Sequence, residues 1–230
     1  MFVPARRRGI EFLDDPHTDP AVRERSLRDV ARSNTLLGGR RAALSAIARV
    51  LPSQGSTCTL LDVGTGMADI PRAARTLAAR RGLTLVAFGV DEAESLARVT
   101  ARVLEGSACA DVRALPFADA SVDVVVCSQL LHHFADEEIP LVLRELDRVA
   151  RRCVIVSDLR RSWIAAAGFW LVSWPLGFHR VTRHDGVVSV LRGFTPSELR
   201  AHVQRATGRS AEVRRRLGWR VTATFGRSRP

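Results

Sequence analysis

Lysine and tyrosine are both absent, so all 35 basic residues counted as Lys+Arg are arginine. Without lysine there is no Gly-Lys-Ser/Thr phosphate loop. A third glycine is missing as well: after Gly64-Thr65-Gly66, Asp69 stands where a dinucleotide fingerprint places glycine. A carboxylate at that helix N-terminus would repel a pyrophosphate. Cysteine is scarce, and Cys58, Cys109, Cys127 and Cys153 show no C-x-x-C spacing of metal ligands or paired thiols. Each falls in or beside an expected strand, where cysteine serves as a small buried hydrophobe, which fits a reducing cytoplasm. After Arg6-Arg7-Arg8 come Glu11, Asp14 and Asp15 in place of the apolar run of a signal peptide. The longest uncharged stretch, Trp163 to Phe178, is too short for an ordinary membrane span and is interrupted by Pro175. Internal repeats are absent, as are the marks of a second domain.

What is present suits one sizeable domain: 230 residues, 46% hydrophobic, support a full core. The net charge of +11 raises nucleic acid as a partner. The all-arginine basic set, with alanine abundant and tyrosine missing, points instead to compositional bias, and nucleic acid is disfavoured. A homodimer is compatible with the sequence.

Strand-like and helix-like segments alternate. The proline- and acid-rich start ends in Asp19-Pro20, a helix-start pair. A helix over 21–37 is expected to bury Val22, Leu27, Val30 and Ala31, and a second covers 41–51. Strands are expected at 60–63, 83–90, 107–110, 122–128 and 153–157, with helices at 67–80, 92–104 and 139–150 between them. Val122 to Ser128 is nearly continuous in apolar residues, as a parallel strand buried on both faces should be. Trp163 to Phe178 is read as a buried helix lining an apolar pocket, and 180–192 as a polar connection carrying His184-Asp185. Thr195-Pro196-Ser197-Glu198 is a capping box opening a helix to about 205. Two strands, 212–217 and 220–225, close the chain around Gly218-Trp219. The expected fold is α/β: a doubly wound, mostly parallel seven-stranded sheet, Rossmann-like, with an antiparallel final strand. Its expected parts are an N-terminal helical cap (1–52), a ligand-binding core (57–158), a pocket insertion (159–194) and a closing helix with strands (195–230).

Leu60 to Val63, the Gly64-Thr65-Gly66 turn and the helix after it form the opening unit of a nucleotide-binding fold, one that wants a nucleoside without phosphates. Five segments in order carry a resemblance to class I S-adenosylmethionine-dependent methyltransferases of small-molecule type. Asp62-Val63-Gly64-Thr65-Gly66 is similar to the family's D-x-G-x-G loop, and Asp91 to the acid that binds the ribose hydroxyls. Asp111-Val112 resembles the pair at the adenine edge. Leu115-Pro116-Phe117 and Ser121-Val122-Asp123-Val124-Val125 resemble the motif that follows. The resemblance implies S-adenosyl-L-methionine as cofactor, held by Asp62, Gly64, Thr65, Gly66, Asp69, Asp91, Glu92, Asp111, Val112 and Ser128. Its sulfonium and ammonium turn Asp62 and Asp69 from obstacles into attractions.

Gln129-Leu130-Leu131-His132-His133-Phe134 follows the fourth strand, where the resemblance places a histidine that activates a hydroxyl. His133 is favoured slightly over His132 as the base, and Asp158 could orient it. Acids at the ends of both the fourth and fifth strands, as a magnesium site would need, are not present, so no metal is expected. Residues 157–162, the aromatic segment after them and 183–186 resemble bacterial methyltransferases of aromatic polyketide and quinone biosynthesis. That implies a small phenolic acceptor and O-methylation, with Arg160 or Arg183 holding a phenolate or carboxylate. C-methylation of a similar ring and RNA methylation are the alternatives.

Overall fold

Why seven strands stack in one sheet is clearest at its centre. Val124, Val125, Val126 and Cys127 are fully buried, because helices cover both faces of the strand that carries them. Each such valine side chain contributes about 1.5–3 kcal/mol on leaving water. The computed structural model describes residues 3–226 apart from Arg8, Pro16 and Ser53. Its strands are β1 (Thr57–Val63), β2 (Thr84–Asp91), β3 (Gly106–Cys109), β4 (Val122–Ser128), β5 (Ala150–Leu159), β6 (Glu212–Arg216) and β7 (Arg220–Gly226). They lie in the order β3-β2-β1-β4-β5-β7-β6. All neighbours pair in parallel except β7, which runs antiparallel to both β5 and β6. The strand order reverses between β1 and β4, and in such sheets ligands bind beyond the carboxyl ends of the strands at that point.

The helices are α1 (Pro20–Leu36), α2 (Gly39–Val50), α3 (Asp69–Ala79), α4 (Glu94–Thr100), α5 (Ile139–Val149), α6 (Trp163–Ser173), α7 (Arg180–Arg192) and α8 (Pro196–Thr207). On one face of the sheet, Leu143 and Leu146 of α5 and Leu199 and Val203 of α8 pack on Val125, Val154 and Val221. On the other, Ala43 and Ile47 of α2 and Ala74 and Ala78 of α3 pack on Leu60, Val124 and Ile155. The Thr195–Glu198 capping box at the start of α8 forms in full.

Four expectations need correction. The buried face of α1 is its polar one, Ser26, Asp29 and Ser33. Asp29 accepts from the His179 backbone N–H (2.8 Å) and the Thr182 hydroxyl (3.3 Å), so α1 docks by capping the next layer rather than by apolar contact. Residues 180–192, expected as a polar connection, are helix α7. With His179 as its N-cap and Asp29 taking the first N–H, the polar residues there satisfy neighbours rather than water. Helix α6 is only half-buried. Ala165, Gly168 and Phe169 face inward, whereas Trp163, Ile164, Trp170, Leu171 and Trp174 stand exposed. Gly186 of α7 permits the α6 contact, since a Cβ there would lie 2.0 Å from the Phe169 ring. Cys109 is exposed, unlike Cys58 and Cys127, because β3 is an edge strand. None of the helices among the described residues is long and apolar enough to cross a membrane.

Candidate functional site

At the switch point, the carboxyl end of β1 turns through Gly64 and Gly66, both with positive φ (70° and 54°). The turn is tied to β2: the Gly64 and Thr65 N–H groups both donate to Val90 O, at 2.9 and 3.0 Å. Asp91, closing β2, accepts from Gly66 N (2.9 Å) and Ala93 N (3.0 Å), which fixes its carboxylate over the turn. Ala68 follows with φ 57° and is fully buried. A left-handed alanine costs about 1–2 kcal/mol, strain of the kind that collects at ligand sites.

Three carboxylates gather here, and only part of their charge is balanced. Asp62 is buried and its Oδ1 has no hydrogen-bond partner. Burial, with Asp69 and Asp91 adding like charge, pushes its pKa up to about 8. Asp69, the first residue of α3, is also raised by burial, against the pull of Arg40. Asp62 and Asp69, kept from ionising chiefly by burial, are what a bound sulfonium and ammonium would relieve, so these residues fit the cofactor that the sequence resemblance implies. At the far edge, Asp111 is half-buried and paired with Arg113 (2.7 Å), whose hydrogen bonds hold it below the usual carboxylate range. Arg113 also reaches Glu138 (3.0 Å). Val112 is buried beside them, Glu92 is exposed, and Ser128 ends β4 buried with its hydroxyl unpartnered.

Beyond β4 and β5 opens a cavity of about 380 Å³. Its apolar wall comes from Leu27, Val30 and Leu37 at α1 and from Phe169 and Val172 of α6. A helical stripe too weak to bury on the sheet thus becomes pocket lining. The polar groups are few. His132 is buried, and its Nδ1 lies 2.6 Å from Oδ1 of fully buried Asp158; its backbone N–H also donates to Asp158 Oδ2 (3.2 Å). Burial works to raise the Asp158 carboxyl, yet the imidazole and the Leu159 N–H outweigh it and hold it below its ordinary range. With Nδ1 taken up by Asp158, Nε2 is the His132 nitrogen left for a ligand. Asp158 thus meets His132 rather than His133, and makes no hydrogen bond to Arg160 or Arg161. His133 is more open, stacked on the His132 ring at 4.3 Å.

Residues from far away complete the wall. Glu11 is buried and accepts from Ser189 (2.8 Å) and Arg192 (2.9 Å). Glu11, His132 and His133 bring three donor atoms within 4.8 Å of one another, a set that could hold a metal ion, and Arg192 already supplies positive charge there. His184 and Asp185 do pair, at 2.9 Å, with His184 facing outward; the buried Asp185 also clamps the N-terminal segment by accepting from Phe12 N (2.9 Å) and Leu13 N (3.0 Å). Arg183 stacks on Trp174 at 3.8 Å, and neither it nor Arg160 lines the cavity; the arginine that does is Arg220. Nothing in the local sequence marked Glu11 or Arg220, which topology alone brings to the pocket, or Arg192, which holds Glu11 there. The arginines at 209 and 214 pair with Asp147 and Glu212.

Residues 45–155 match the family described as a methyltransferase domain. No curated protein matches the chain by sequence. Among solved structures, an S-adenosylmethionine-dependent methyltransferase from Aquifex aeolicus aligns with a TM-score of 0.62 at 16% identity, over 90% of this chain and 97% of that one. A mitomycin 7-O-methyltransferase aligns at 0.66 and 18% identity, over 95% of this chain and 61% of that one. The plantazolicin methyltransferase in complex with SAH aligns at 0.66 and 10% identity, over 92% of each.

Proposed function

We propose that this S-adenosylmethionine-dependent methyltransferase transfers its methyl group to a hydroxyl of a small aromatic acceptor, with His132 as general base and no metal. The observation that carries the reading is the buried His132–Asp158 pair in the wall of a largely apolar cavity. When bound, the cofactor supplies an electrophilic methyl on a positively charged sulfur. The chain's own residues do the rest. Asp62, Asp69 and Asp91 attract and orient the cationic ligand at the β1 turn. The apolar walls keep the cavity dry, which favours a transition state that loses charge, and they suit a flat ring. Asp158 holds the Nδ1 proton, so His132 Nε2 would accept the acceptor's hydroxyl proton as that oxygen takes the methyl group from the bound sulfonium.

A labelled-methyl assay across phenols, hydroxyquinones and bulk RNA tests this. Label should appear on phenolic oxygens, cleavable as an ether; label on ring carbon or only on RNA would sink the O-methylation reading. A second expectation concerns Asp185. Asp185→Ala leaves the Phe12 and Leu13 N–H groups unpartnered at about 1–3 kcal/mol. It should lower Tm by roughly 2–8 °C and raise the acceptor KM severalfold, because Glu11 and Leu13 lose their footing in the wall. An unchanged acceptor KM would show that the clamp does not shape the pocket.

A further inference from the structure

Arg220 opens β7, and strand alternation puts its side chain on the α2 face of the sheet, opposite Val221, Ala223 and Phe225, which join the α5–α8 core. It is 5% exposed and lines the acceptor cavity, yet its Nε has no hydrogen-bond partner and no carboxylate pairs with it among the described residues. A buried guanidinium without a counter-ion is costly, and burial pushes this one down to about 10. Asp158 is the one acid whose field reaches it, and both Asp158 oxygens are engaged by His132 and Leu159.

Two neighbours make the spot more attractive to negative charge. A Cβ on Gly39, the first residue of α2, would lie 2.9 Å from Gln129 Nε2, 3.1 Å from Asn34 Oδ1 and 3.4 Å from Arg220 Nε. The guanidinium and an amide N–H donor therefore converge on the start of a 12-residue helix whose N-cap, Gly38, offers no side-chain acceptor. The helix dipole adds positive potential there. Gln129 is itself held in the left-handed region (φ 53°), bonded to Asn34. This strained backbone fixes the amide at the pocket floor. β7 lies three strand spacings, or about 14 Å, from β1 and its glycine turn, and Arg220 lines the cavity beside His132 and Leu159.

We propose that Arg220, with Gln129 and the N-terminus of α2, forms a subsite for an anionic oxygen group on the acceptor, so that the preferred substrate class is an aromatic hydroxy acid rather than a neutral phenol. This rests on the aromatic-acceptor reading above. It gives the ring two anchors: an acid group on Arg220, and the reacting hydroxyl toward His132.

The test compares 1-hydroxy-2-naphthoate with its neutral carboxamide by calorimetry on the full chain with SAH bound. The wild type should bind the carboxylate at least about tenfold more tightly than the amide. Arg220→Gln should bring the carboxylate down to the amide's affinity, leave the amide and SAH affinities within about twofold, and keep or raise Tm, since an unpaired buried charge is removed. Arg220→Lys should retain a preference for the carboxylate, confirming that charge is what is read. Equal binding of both probes by the wild type overturns the subsite while leaving the aromatic acceptor standing. Binding of neither probe overturns the aromatic acceptor and the subsite together. Loss of SAH affinity in Arg220→Gln overturns it differently, by assigning the guanidinium to the cofactor's carboxylate.

Discussion

Replacing Asp158 with asparagine is expected to lower kcat by roughly 10²- to 10⁴-fold, with the acceptor KM and the cofactor Kd changed less than about threefold. The carboxylate meets the His132 ring at 2.6 Å and otherwise accepts only backbone N–H groups, those of His132 and Leu159, among the described residues. In the proposed mechanism its work is to fix the Nδ1 proton and to stabilise the imidazolium formed when the hydroxyl proton arrives. An amide of the same shape keeps the packing and loses both effects. His132→Ala should cost about as much, and the double variant little more than either single one, because the two act as a unit. His133→Ala, by contrast, should change kcat less than about tenfold, since its Nδ1 lies 3.9 Å from Glu11 while the Asp158 carboxylate is hydrogen-bonded to His132. A loss of kcat confined to His133→Ala would reverse the assignment. A merely structural Asp158 would show itself as a parallel fall in Tm and in cofactor affinity, which circular dichroism and calorimetry on the same samples detect.

The sheet was legible because its signals are local. Asp62-Val63-Gly64-Thr65-Gly66, the apolar run of β4 and the regular alternation of strands and helices all depend on neighbours in sequence. The Trp163–Phe178 segment shows where such signals stop. Its composition reads as buried, yet only one side of α6 faces the cavity, and its outer tryptophans stand in solvent. Helix α7 was hidden for the opposite reason. Its polar residues meet α1 and the N-terminal segment, so no periodic apolar stripe announces it. The cavity is built from contacts across large separations, such as Glu11 with Arg192 and Asp158 with His132. The slight preference for His133 among the two adjacent histidines rests on no local signal; the end of β5, lying beside β4, brings Asp158 to His132.

Cofactor affinity is expected to climb with pH, by about 50-fold between pH 6 and pH 8, and to level off above. In the ligand-free chain Asp62 has its pKa raised to about 8 by burial first and by Asp69 and Asp91 after it. Near pH 6 about one site in a hundred carries the ionised carboxylate, and at pH 8 about half do. A cation bound at the turn favours the ionised form, so binding below pH 8 should release close to one proton, which calorimetry in buffers of different ionisation heat measures directly. The sign for stability is the reverse. Between the ordinary carboxylate range and about pH 8 the unfolded chain has lost this proton and the folded chain has kept it. The ligand-free protein therefore loses stability as pH rises through that window, by up to about 1.4 kcal/mol per unit from this group. Asp62→Asn removes the penalty. Its ligand-free Tm at pH 7.5 should exceed the wild type's by several degrees, with the gap closing toward pH 4, while cofactor affinity falls and loses its pH dependence. A wild type whose cofactor Kd is flat from pH 6 to pH 8 would show that Asp62 is already ionised, and that the three-carboxylate cluster finds its positive charge within the protein.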